Sequence, residues 1–200
     1  AVDDESVVRR HDHDEAIRHF REVIARNPDV PQFHHNLANV YAKVGRDDEA
    51  AGAFSKALGL DPDFIPARIG MGHAMLKRSA GDDAGFHFRR ALEVDPGNTD
   101  ATIGLAAALE MSGKADEGTD RLRKAVDLAP ADARLHHALG AHLLRRRDRD
   151  GAMDHLRRAV ELDPGFADTY MTMGNAHLDI GDKSQALACF RQVLALQPEG

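Results

Sequence analysis

The chain has 200 residues, of which 42% are apolar and 30% charged, with no tryptophan, one cysteine and a formal net charge of −7. That is the composition of a helical protein and not of a disordered one, and its acidity speaks against a general nucleic-acid binder. A single cysteine excludes an internal disulfide. No apolar run approaches the roughly 18 residues that a membrane helix needs, and the N-terminal stretch lacks the apolar segment of a signal peptide.

Pro28, Pro62, Pro96, Pro130, Pro164 and Pro198 stand 34 residues apart, and they are six of the eight prolines. A fixed period of this size marks a stacked array, in which each unit buries its apolar face against its neighbours. Residues 1–30 align with the latter part of that unit: Ala16, Phe20, Val23 and Ile24 stand where the next unit has Ala50, Phe54, Ala57 and Leu58. DDESVVRR before them reads as the truncated end of a preceding helix. The chain opens without methionine, partway into a unit, and so reads as a piece of a longer protein. Five full units follow, 31–64, 65–98, 99–132, 133–166 and 167–200, which together count as one array.

Each full unit carries two apolar patterns of helical period, separated by a short polar break. In the first, Leu37, Ala38 and Tyr41 mark one helix, and Ala50, Phe54, Ala57 and Leu58 mark the next. Between them Gly45 suits a left-handed cap, and Asp47, Asp48 and Glu49 suit a first helical turn. Asp61-Pro62 ends the second helix, because proline lacks the N–H and restricts its predecessor. The apolar columns persist: Leu37, Met71, Leu105, Leu139 and Met173 in the first helix, and Phe54, Phe88, Leu122, Leu156 and Phe190 in the second. Small residues recur where helices must approach closely, at Ala38, Gly72, Ala106, Gly140 and Gly174 opposite Ala50, Ala84, Gly118, Ala152 and Ala186.

This pattern resembles the tetratricopeptide repeat, with its small-residue and aromatic positions in helix A and its Ala, aromatic, Ala and proline in helix B. The resemblance covers residues 31–200 fully and about 11–30 in part. It implies an all-α, right-handed superhelical solenoid of stacked antiparallel helix pairs, whose concave face is lined by the first helices. Two departures stand out. The large aromatic expected early in helix A is His34, Arg68, Thr102, His136 and Tyr170, and the glycine between helices is replaced by Ser79 and Arg147. A non-glycine residue in a left-handed cap costs on the order of 1 kcal/mol, so the second and fourth turns are expected to be strained or differently shaped.

By the same resemblance, the groove is lined by helix-A side chains that point away from the core. The candidates are His35, Asn36, Asn39, Ile69, His73, Ile103, Ala107, His137, Met171 and Asn175. A shallow apolar trough with polar ends suits an amphipathic helix or extended peptide with one or two hydrophobic anchors. The family's basic and asparagine clamp for chaperone tails is absent, since its places hold His35, Asn39, Gly70, Asp100 and Gly104. Its asparagine-ladder subtype is matched only at Asn36.

Twelve histidines raise the question of a metal. Neighbouring residues on a helix point about 100° apart, so His34-His35 and His136-His137 cannot each chelate one ion. His35 with His73 and Asn39 lacks a convincing third ligand, and no metal or cofactor is expected. The basic run Arg145 to Arg149 reads as a solvated helix end whose charge suits the dipole, with an acidic partner as the alternative. There is no phosphate loop, nucleophile elbow or HExxH, and Cys189 has no histidine a helical turn away.

The function expected is a non-enzymatic scaffold that binds a protein or peptide partner in the groove, in a cytoplasmic setting, with neither nucleic acid nor membrane as partner. The rival reading is a recognition or regulatory arm of a larger glycosyltransferase- or sulfotransferase-type enzyme, since bacterial arrays of this look are often joined to such domains. Leu187 and Leu194 on the last helix are expected to be uncovered, which would allow a homo-oligomer or contact with more of the parent chain.

Overall fold

The computed structural model describes residues 4–196, with side chains from residue 12 onward. Among the described residues there are eleven α-helices and no strand. They are α1 (Asp4–Arg26), α2 (Pro31–Lys43), α3 (Asp47–Leu60), α4 (Ile65–Lys77), α5 (Gly81–Val94) and α6 (Thr99–Met111). There follow α7 (Ala115–Leu128), α8 (Ala133–Arg145), α9 (Arg149–Leu162), α10 (Ala167–Asp179) and α11 (Lys183–Leu196). The even-numbered helices begin at residues 31, 65, 99, 133 and 167, so the 34-residue proline spacing sets the helix starts.

The chain divides into two compact units, residues 1–115 and 116–200. In the first, α2 pairs with α3 and α4 with α5, while α3 packs on α4 and α5 on α6; α2, α4 and α6 are neighbours in that order. In the second, α8 pairs with α9 and α10 with α11, and α10 also meets α8 and α9. Short connections between consecutive helices make each pair antiparallel.

Residues 4–10 do not form a separate, truncated helix. Residues 4–26 are one continuous helix, because no glycine or proline interrupts the backbone between them. The side chains of residues 4–11 lie outside the described residues.

The small-residue columns are explained by what an added methyl group would meet. A Cβ on Gly72 of α4 would lie 2.6 Å from Phe88 Cζ, and one on Gly104 of α6 would lie 2.3 Å from Phe88 Cε1. The ring of Phe88, fully buried, is therefore clamped between two glycines on successive first helices. Phe54 is held in the same way against Gly70, whose Cβ would come within 2.3 Å of Phe54 Cε1. In the second unit a Cβ on Gly140 would meet Leu156 Cγ at 2.7 Å and the Ala152 carbonyl at 3.0 Å. Closeness of this kind brings backbones together and excludes voids, which is where dense packing gains its dispersion energy.

The turns between paired helices all share one form. Gly45, Gly113 and Gly181 have φ of 76°, 76° and 77°, and Ser79 and Arg147 take the same left-handed conformation at 58° and 65°. Each turn closes with a backbone bond spanning five residues, from Arg46 N to Tyr41 O, Ala80 N to Met75 O, Lys114 N to Leu109 O, Asp148 N to Leu143 O and Asp182 N to His177 O. The second and fourth turns are thus strained but not reshaped.

The departures at the aromatic position also have a structural role. His34 Nε2 donates to the Pro28 carbonyl at 2.8 Å, Arg68 Nε to the Pro62 carbonyl at 2.9 Å, and His136 Nε2 to the Pro130 carbonyl at 3.2 Å. A polar side chain six residues after the periodic proline ties each of these first helices to the loop before it.

Candidate functional site

In the first unit, α2, α4 and the start of α6 border two adjoining cavities that share Asn39, Gly70 and His73. The larger, about 850 Å³, lies between the C-terminal halves of α2 and α4. Ala50 and Phe54 of α3 line it together with Ala42, Ala74 and Leu76, and Lys43, Asp47 and Lys77 stand at its rim. Because Gly70 has no side chain, the edge of the Phe54 ring reaches this surface although the residue as a whole is buried. The rim carries an ion pair, Lys77 Nζ to Asp47 Oδ1 at 2.9 Å.

The smaller cavity, about 370 Å³, collects His35, Asn39, Ile65, Ile69, His73, Asn98 and Asp100. His35 is half-buried, 5.7 Å from the Phe54 and Phe64 ring centroids, and its Nε2 meets Asn39 Nδ2 at 2.9 Å. Burial holds the His35 imidazole below the usual histidine pKa. His73 stands edge-on to Phe88 at 5.2 Å. The protein around it lowers its pKa through desolvation, against the opposing pull of Asp100. Both rings are therefore neutral near pH 7 and offer hydrogen-bonding edges rather than charge.

Four of the sequence candidates, His35, Asn39, Ile69 and His73, thus come together around one cavity. Asn36 is exposed, and Ile103 and Ala107 are half-buried on α6; none of these lines either cavity. In the second unit Met171 and Asn175 are exposed on α10, while His137 is engaged by its neighbours. Its Nδ1 lies 3.0 Å from Thr169 Oγ1, and its ring lies tilted against that of Phe166, with centroids 4.9 Å apart. Sequence reasoning passed over Ala50, Phe54 and Lys77, because Ala50 and Phe54 belong to the core pattern and Lys77 to a helix end.

Among the described residues, no group of three or more His, Cys, Asp or Glu side chains is placed to hold a metal ion, and no helix is long and apolar enough to cross a membrane. Cys189 is buried, which pushes its thiol pKa up. In the Arg145–Arg149 run, Arg146 pairs with Asp116, and Arg149 Nη2 lies 3.8 Å from Asp179 Oδ2.

Sequence profiles described as tetratricopeptide repeat match residues 5–63, 75–142 and 143–200. The chain belongs to the tetratricopeptide repeat family. Solved tetratricopeptide structures share its fold. One from Parabacteroides merdae is 19% identical, with a TM-score of 0.83, over 94% of this chain and 73% of that one. YrrB, a tetratricopeptide protein with an unusual peptide-binding site, is 24% identical with a TM-score of 0.58, over 90% and 93% of the two chains. MamA from Desulfovibrio magneticus is 25% identical with a TM-score of 0.65, over 81% and 92%. The comparison with curated proteins gave no match.

Proposed function

We propose that the chain is a non-catalytic interaction module that captures a peptide or helical segment of a partner protein along α2, α4 and α6. The observation that carries this is the 850 Å³ cavity, with the Phe54 ring edge, Ala50 and Leu76 as apolar lining beside the exposed Asn39 and the Lys77–Asp47 pair. An apolar side chain seated there gains burial, while Asn39 and His73 offer hydrogen bonds to the peptide backbone that carries it. Tetratricopeptide proteins are known as interaction scaffolds, and a peptide-binding site is described for YrrB.

The test is a peptide-array screen of the chain beside its Asn39→Ala and Ile103→Glu variants, with thermal melts by circular dichroism. Asn39 is exposed and lines both cavities. Peptides that bind the parent chain and lose affinity with Asn39→Ala, at an unchanged melt, support the groove. Binding undiminished in both Asn39→Ala and Ile103→Glu would place the contact elsewhere.

A further inference from the structure

His136 of α8 and His155 of α9 face each other in the second unit, with Nδ1 3.0 Å from Nδ1 and ring centroids 5.2 Å apart. His136 is buried and His155 half-buried. The other nitrogen of His136, Nε2, meets the Pro130 carbonyl at 3.2 Å. A carbonyl only accepts, so Nε2 carries the proton of the neutral ring and His136 Nδ1 is left as an acceptor. The proton between the rings therefore belongs to His155, whose Nδ1–H donates to His136 Nδ1.

These tautomers limit how many protons the pair can hold. A first one enters at the remaining nitrogen, His155 Nε2, and leaves both hydrogen bonds intact. A second has only His136 Nδ1 to go to, where it turns the acceptor into a donor and sets two cations against each other across 3.0 Å. The same two positions in the five full repeats hold His34 and Ala53, Arg68 and His87, Thr102 and Arg121, His136 and His155, and Tyr170 and Cys189. No repeat places two fixed cations there. The second repeat shows the one-cation form: Arg68 Nε donates to the Pro62 carbonyl at 2.9 Å, and burial, followed by the Arg68 charge, holds His87 below the usual histidine pKa.

The surrounding charges do not offset a second proton. Burial opposes a charge on His155 most, then His136 and, from α7, Arg123, while Asp154 of α9 and Asp148 at its N-cap favour one. Both carboxylates are engaged, Asp154 by Arg157 Nη1 at 2.7 Å and Asp148 by the Gly151 amide at 3.2 Å. Asp132 caps α8 through the Arg134 and Leu135 amides, and Asp168 of α10 acts on the adjoining His137. We propose that His136 and His155 form an acid-sensitive latch between α8 and α9: the folded pair holds at most one proton, and taking up a second requires the two helices to part.

The test is made on the full chain by nuclear magnetic resonance. At about pH 8, His136 is expected to carry its proton on Nε2 and His155 on Nδ1. As the pH falls below about 6.5, the ordinary histidine value, hydrogen-exchange protection of the α8 and α9 amides is expected to drop by up to about tenfold per pH unit, the limit for one extra proton in the open form. His155→Gln keeps a bond to His136 in either protonation state, because its carboxamide both donates and accepts. Relative to its own value at about pH 8, the variant is expected to retain about tenfold more α8 and α9 protection than the parent at about pH 4. A proton on His136 Nδ1 at the higher pH overturns the proposal. So do two charged rings in a chain whose α8 and α9 amides stay protected, or an acid loss unchanged in His155→Gln. The first two results are read on the parent chain and do not depend on how the variant folds.

Discussion

Gly70 and Phe54 allow a sharp test of how the first unit is packed. A methyl group at Gly70 would sit 2.3 Å from Phe54 Cε1 and 2.4 Å from Cζ, where a carbon–carbon contact prefers about 3.5–4 Å. The ring must yield by more than about 1 Å, and overpacking of this kind costs roughly 1–3 kcal/mol. Against that, alanine exceeds glycine in helix propensity by about 1 kcal/mol. Gly70→Ala is therefore expected to destabilise by about 0–2 kcal/mol. Phe54→Leu alone leaves a void and costs about 1–2 kcal/mol. In the Phe54→Leu background the same alanine has room, and its propensity gain of about 1 kcal/mol emerges. The double-mutant cycle should thus show a favourable coupling of about 1–3 kcal/mol, measured from urea midpoints by circular dichroism with m held constant. Coupling within about 0.5 kcal/mol of zero would refute the packing argument.

Three further outcomes follow from features of the two units. Ser79→Gly and Arg147→Gly relieve left-handed strain and should each stabilise by about 1 kcal/mol, read as a higher urea midpoint. Asn98 caps α6 by accepting from Ala101 N at 3.0 Å, so Asn98→Ala should cost about 1 kcal/mol in the same assay. His35, His73, His87, His137 and His155 all have lowered pKa values, mainly from burial. The unfolded chain then binds more protons than the folded one below about pH 6.5. Stability is therefore full above that pH and is lost as pH falls toward the folded pKa values, at no more than about 1.4 kcal/mol per proton per pH unit. A midpoint that rises on acidification from pH 7 to 5 would contradict this sign.

The proline period and the apolar columns made the helix boundaries legible, because both act through local geometry that repeats with the sequence. The turn at Ser79 and Arg147 was legible as strained but not as preserved in shape, since the bond from Ala80 to Met75 depends on how both helices dock. His34, Arg68 and His136 looked like failures of an aromatic column. Their bonds to proline carbonyls are invisible without coordinates, because two different side-chain types meet the same kind of acceptor. At the groove, His35, Asn39, Ile69 and His73 were legible from their place on the first helices. The ring edge of Phe54 was not, because a core residue reaches the surface only where the opposing residue is glycine.

Phe54 and Phe88 each touch two repeats at once, so the array cannot be shortened at every joint with equal ease. Excising residues 65–98 would set Gly104 against Phe54 and preserve a fitting contact. Excising residues 99–132 would bring Ala138 against Phe88 and jam the new joint. Repeats of equal length are therefore not interchangeable parts, and recombination within this chain is biased toward some deletions over others.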